Sequence, residues 1–128
     1  MTEHHERLHK SATLMDFQIP YSVEDINAAT NALLTRNGIS DGYVRPVAWR
    51  GSEMMGVSGQ KNKINLAIAA WEWPAYFSPE ARMQGIRMAI AKYRRPEPAC
   101  APVHSKAAGL YMICTLSKHA AEQKRFQD

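Results

Sequence analysis

Tyr43-Val44-Arg45-Pro46-Val47-Ala48-Trp49 and, after a glycine-bearing interval, Asn65-Leu66-Ala67-Ile68-Ala69-Ala70-Trp71-Glu72-Trp73 decide the fold class. The first run is β-branched and aromatic, and predicts a strand. The second is mostly apolar, as in a strand of a sheet buried on both faces. Gly51, Gly56 and Gly59, set among polar residues, make Gly51 to Lys63 a loop. Upstream, Leu8, Ala12 and Met15 recur at spacings of four and three, which predicts a helix over about Glu3 to Met15. Ser22 and Asp25 form a capping pair opening a second helix to about Arg36; it buries Ile26, Ala29 and Leu33 and stops at Asn37-Gly38. Helices followed by strands give an α/β (α+β) chain.

Further on, Pro74, Ser78 and Pro79 break the chain, and a domain boundary is expected near residues 76 to 81. Within Gly85 to Arg95, Ile86, Met88 and Ile90 alternate with Arg87, Ala89 and Ala91, the period of a strand. Residues 96 to 105, with three prolines, read as an extended loop, and a helix is expected from about Ala108 to Lys124.

The 128 residues match one ordinary domain, and a hydrophobic content of 45% supplies a core. The formal charge of +4 permits an acidic partner, but the charges are scattered. The densest group, Lys92, Arg94 and Arg95, has no recognition motif around it and reads as solvated surface. No apolar run approaches a membrane span, and the N-terminus lacks the apolar core of a signal peptide, so a cytoplasmic chain is expected. Cys100 and Cys114 then read as free thiols, with Cys114 packed inside the last helix.

Three constellations carry chemistry. Tyr43 and Arg45 lie two apart on a strand and project from one face, where a guanidinium fork and a phenol suit a carboxylate. Lys106, in His104-Ser105-Lys106-Ala107-Ala108-Gly109-Leu110-Tyr111, is one lysine among small residues. A partly desolvated amine there would condense with an aldehyde cofactor, and small neighbours would admit a flat ring. The bland alternative is an ordinary solvated lysine. His5-Glu6-Arg7-Leu8-His9 matches the H-E-x-x-H zinc pattern, but it has no strand before it and no third histidine at the metzincin spacing. His5 and His9 then count as surface residues, and no metal is expected. Trp73 and Tyr76 flank Pro74 at the expected boundary, where pockets form, or serve as interface aromatics.

The order Asp41-Gly42-Tyr43-Val44-Arg45-Pro46-Val47, then Gly51-Ser52-Glu53-Met54-Met55-Gly56-Val57, then Ala69-Ala70-Trp71-Glu72-Trp73-Pro74-Ala75-Tyr76, then the Lys106 run resembles the branched-chain amino acid aminotransferases, pyridoxal-phosphate enzymes of fold type IV. The likeness begins near Glu3 and covers nearly the whole sequence. It implies the end of a small two-layer domain over residues 1–77 and, over 78–128, the start of the large cofactor-binding domain with its interdomain loop. It implies Lys106 as the lysine that binds pyridoxal 5'-phosphate and serves as general acid/base, with Tyr111 near the cofactor. Tyr43 and Arg45 would receive substrate carboxylates, and Trp73 and Tyr76 would wall the pocket for an aliphatic side chain. The loop with Val57 would reach a neighbouring subunit, making a homodimer or higher homo-oligomer. The substrates would be leucine, isoleucine or valine and 2-oxoglutarate, in branched-chain amino-acid biosynthesis, with no nucleic acid or membrane partner. Family members are more than twice as long, so an internal or truncated segment, incomplete for catalysis, is expected. The alternatives are a non-catalytic basic interaction domain or an H-E-x-x-H hydrolase.

Overall fold

The first helix, α1, spans Thr2–Leu14 and ends where Asp16 adopts a left-handed φ of 59°. The second, α2, spans Val23–Asn37. Its start is the expected capping box: Ser22 Oγ accepts from Asp25 N, and the Asp25 carboxylate accepts from Ser22 N at 2.9 Å. Its end is Gly38, at φ 65°, a conformation that costs glycine little and other residues much. These belong to a computed structural model that describes residues 1–73 and 75–128; the chain-breaking role expected of Pro74 lies outside them. The chain divides into two compact units, Met1–Pro74 and Ala75–Asp128.

In the first unit, β1 (Tyr43–Arg50) and β2 (Ile64–Trp71) pair antiparallel, with Tyr43 opposite Trp71, Arg45 opposite Ala69 and Arg50 opposite Ile64. Residues 51–63 form the connecting loop, as expected. One face of the ribbon packs on the helices: Ala48, Leu66 and Ile68 join Leu8 and Phe17 around Ala12, Ile19 and Ile26. Among the described residues the other face is left partly exposed, with Ala67 and Ala69 of β2 open to solvent, which corrects the reading of β2 as buried on both sides. Tyr43, Val47 and Trp49 are each more than a third exposed, because among the described residues the helices of this unit pack on the opposite side of the two strands. Pro46 is tolerated because, among the described residues, each strand of the pair has one edge without a neighbouring strand.

Two helical expectations change. Thr30, rather than Ala29, is the buried partner of Ile26, since four residues complete the turn and its hydroxyl is satisfied by the Ile26 carbonyl at 2.7 Å. His5 is a core residue at 1% exposure, not a surface one; its ring Nδ1 donates to Asn27 Oδ1 at 2.7 Å, joining α1 to α2.

In the second unit, α3 (Pro79–Gln84) adds a short helix that the sequence periodicity does not announce, although Ser78 caps it by accepting from Ala81 N and Pro79 occupies its first turn. Residues 85–95 are not a strand. Their alternation is real, but Met88 and Ile90 are exposed, and among the described residues no strand lies beside them. The chain end lies there instead, where Gln127 N donates to Arg87 O and Ala89 N to Asp128 O. A turn of 3-10 helix, Ala108–Leu110, leads into α4 (Met112–Gln123). Cys114 is exposed on α4, against the expectation of packing, since Ala121 is the buried residue of that helix. After α4 the chain turns back, with Arg125 at φ 58° and the Arg87 guanidinium 5.4 Å from the Phe126 ring centroid.

Candidate active site

The uncovered face of the β1–β2 ribbon brings together three of the expected residues. Tyr43 and Arg45 share it because they are two apart on β1, and Trp73 joins them just beyond the end of β2. Tyr43 lies 5.7 Å from Trp73, centroid to centroid. Trp71, absent from the residues expected at the site, completes the group: its ring is 5.1 Å from Tyr43 and 5.9 Å from Trp73. A signal for it is present in the sequence, since Trp71 and Trp73 are two apart at the end of a strand, but its partner is fixed only by the register that sets Trp71 opposite Tyr43.

Arg45 Cζ lies 5.3 Å from the Tyr43 ring centroid and 5.3 Å from that of Trp71. Both distances are within the range at which a guanidinium is attracted to an aromatic ring. Ala69, opposite Arg45, offers only a methyl group, so the long side chain has room to lean toward the rings. Among the described residues no carboxylate is paired with Arg45. A guanidinium attracted to rings and not paired with a carboxylate keeps its N–H fork for an oxygen-bearing ligand.

Val57 stands apart, fully exposed near the tip of the 51–63 loop beside the equally exposed Met55. The base of that loop is stapled: Gly51 N donates to Lys63 O at 2.7 Å, Asn62 Nδ2 to Gly51 O at 2.7 Å, and Gln60 Nε2 to Asp16 Oδ2 at 2.6 Å. A cleft of about 330 Å³ beside it, lined by Asp16, Phe17, Arg50 and Gln60 among others, contains none of the expected site residues.

In the second unit, Tyr76 is exposed and its ring packs 5.9 Å from Phe77. Lys106 is exposed too, so the partial desolvation expected of it is not supplied by the described residues. The buried member of its run is Ser105, whose hydroxyl donates to Pro102 O at 2.7 Å. Tyr111, about half exposed, stands at the N-terminal boundary of α4 after the 3-10 turn, without a side-chain capping hydrogen bond. A Cβ added at Gly109 would meet nothing within 4 Å, so the backbone after Lys106 is open to a flat group. An amine beside such an opening fits a planar aldehyde such as pyridoxal phosphate. His5 and His9 gather no further ligands: among the described residues no group of three or more His, Cys, Asp or Glu could hold a metal ion.

An α+β chain with an arginine and aromatic rings on one strand face and a lysine in a small-residue turn defines a candidate amine- and carboxylate-handling protein. The profile of the amino-transferase class IV family matches residues 1–128, and the chain belongs to that family. It is 37% identical over 118 residues to the branched-chain-amino-acid aminotransferase of Pseudomonas aeruginosa, covering 92% of this chain and 38% of that protein. The crystal structure of the Escherichia coli branched-chain amino acid aminotransferase superposes with a TM-score of 0.91 at 31% identity, covering 98% of this chain and 42% of that one. That of the T.th. branched-chain amino acid aminotransferase with pyridoxamine 5'-phosphate superposes with a TM-score of 0.90 at 32% identity, covering 97% and 41%. The chain thus spans about two-fifths of the length of these relatives.

Proposed function

We propose that this chain is the part of a branched-chain amino acid aminotransferase that carries the substrate-recognition strand and the cofactor lysine. The observation behind this reading is Arg45 held beside Tyr43 on an open strand face, its fork unpaired with any carboxylate of the described residues, in a chain matched along its whole length by the class IV family.

Lys106 would hold pyridoxal 5'-phosphate through its amine, with Tyr111 nearby and the open backbone at Gly109 admitting the ring. The cofactor, when bound, supplies an aldehyde and a ring that draws negative charge away from the substrate α-carbon. Lys106 Nζ, freed when the substrate amine takes its place, would take the proton from that carbon and deliver it within the same half-reaction to the former aldehyde carbon, and the second half would run these proton transfers in reverse. Tyr43 donates its phenol to the α-carboxylate. Arg45 receives the side-chain carboxylate of glutamate or 2-oxoglutarate through two parallel N–H contacts. Trp73 and Tyr76 wall the pocket against the side chain of leucine, isoleucine or valine, and the exposed Met55 and Val57 loop meets a second subunit in a homodimer. The setting is cytoplasmic.

The test is a chimera in which residues 1–128 replace the matching segment of the Pseudomonas aeruginosa relative. Leucine-dependent formation of glutamate from 2-oxoglutarate, abolished by Lys106→Ala, is expected. A folded chimera that binds pyridoxal phosphate but does not transaminate leucine, isoleucine or valine would overturn the reading.

A further inference from the structure

We propose that Trp71 is a positioning and specificity-determining residue that holds the Arg45 guanidinium ready for the distal carboxylate of a dicarboxylate substrate; this rests on the carboxylate-binding role given to Arg45 above. Arginine on an exposed strand has many rotamers, and a fork that must grip both oxygens of a carboxylate is effective only in a few of them. Three facts narrow the choice here. Arg45 Cζ is equidistant, at 5.3 Å, from the rings of Tyr43 and Trp71. Those rings are cross-strand neighbours on one face, centroids 5.1 Å apart and tilted by 39°, so the guanidinium has a ring on each strand beside it. Trp73 lies against both, at 5.7 and 5.9 Å, and buttresses the pair from the far end of β2.

The attraction between a cation and a ring face restrains the guanidinium without supplying an oxygen acceptor for its N–H groups. Ring contact therefore leaves those N–H groups for a carboxylate. The two rings order the fork before ligand arrives, so less rotamer freedom is lost on binding. A ligand with no distal carboxylate gains nothing from this order. Trp71 therefore acts on the difference between dicarboxylate and aliphatic ligands, through Arg45 and without touching the ligand itself.

The experiment follows the Arg45 side-chain resonances of the 128-residue protein by NMR while glutarate is added, with 4-methylpentanoate as the monocarboxylate control. In the unsubstituted protein the Arg45 methylene and Nε–H signals should carry upfield ring-current shifts and move on addition of glutarate. Trp71→Leu should remove much of the ring-current shift and weaken glutarate binding by roughly three- to tenfold, with the control unaffected. Trp71→Phe, which keeps a ring, should restore both. Glutarate binding at Arg45 that is unchanged in Trp71→Leu would overturn the positioning role and leave Arg45 as a carboxylate site. Ring-shifted Arg45 signals that do not respond to glutarate even in the unsubstituted protein would overturn the carboxylate role of Arg45, and this proposal with it.

Discussion

Arg50 Nη2 donates to the main-chain oxygen of Asp16 at 2.6 Å, so the last residue of β1 caps the end of α1. Nη1 reaches the Met15 carbonyl at 3.1 Å, and the guanidinium lies 5.1 Å from the Phe17 ring centroid. The Met15 carbonyl is one that a helix leaves without a partner, at the end where positive charge is favoured, and the Asp16 carbonyl belongs to the turn that follows. Arg50→Ala should lower stability by about 1.5–3 kcal/mol, the range for hydrogen bonds to a charged group. Arg50→Lys should recover part of it, since one ammonium cannot span both oxygens with the same geometry. Urea unfolding followed by far-ultraviolet circular dichroism measures both.

Gly59 touches the same staple. A Cβ there would stand 2.8 Å from Arg50 Cδ, a side chain already pinned at its far end. Gly59→Ala should cost about 1–3 kcal/mol by crowding. In an Arg50→Ala background most of that cost should vanish, because the obstructing atom has gone. Additive losses in the double-substitution cycle would refute the contact.

Asp25 gives a pH dependence. Its carboxyl is held below the ordinary range first by the Ser22 backbone N–H and then by the Ser22 hydroxyl. A folded-state value below the unfolded one means stability that is fully present above the ordinary carboxyl value of about 3.9 and is lost as pH falls through the depressed folded value. Unfolding midpoints of the parent protein and Asp25→Asn should therefore differ at neutral pH and converge as acid is added below about pH 4.

Lys106 should be the residue that traps cofactor. When the chimera, which supplies the rest of the relative's chain, is mixed with pyridoxal phosphate and reduced with borohydride, peptide mapping of residues 1–128 should find the pyridoxyl group on Lys106. Modification of Lys92 or Lys118 with Lys106 untouched would remove Lys106 from its assigned role.

Arg45→Ala, made in the chimera, should separate substrates. A bidentate charge-assisted contact is worth about 1.5–3 kcal/mol, or roughly ten- to a hundredfold in kcat/KM. The loss should fall on 2-oxoglutarate and glutamate and spare leucine. Equal losses for both would make Arg45 structural.

Much of this is legible in the sequence because it is local. The capping box, the left-handed glycine after α2 and the periods of helix and strand are set within a few residues, and so is the shared face of Tyr43 and Arg45. Where the sequence misdirects, the outcome depends on partners. Gly85 to Arg95 has a strand's alternation, but a strand exists only when another pairs with it. Trp71 gains its meaning from the residue opposite, which the length of the 51–63 loop fixes. His5 has the character of a surface residue because a polar side chain on a helix usually faces water; Asn27, on another helix, makes its burial tolerable.

The alternation of β1 has an evolutionary consequence. Val44, Pro46, Ala48 and Arg50 point one way and Tyr43, Arg45, Val47 and Trp49 the other, so the strand carries two interleaved sets of instructions, one for folding and one for the open face on which recognition is proposed. Substitutions in the second set can retune which ligands are preferred while the first set keeps the chain folded. A library randomised at Val47 and Trp49 alone should therefore yield mostly folded proteins of diverse selectivity, whereas one randomised at Ala48 and Arg50 should yield few folded proteins at all.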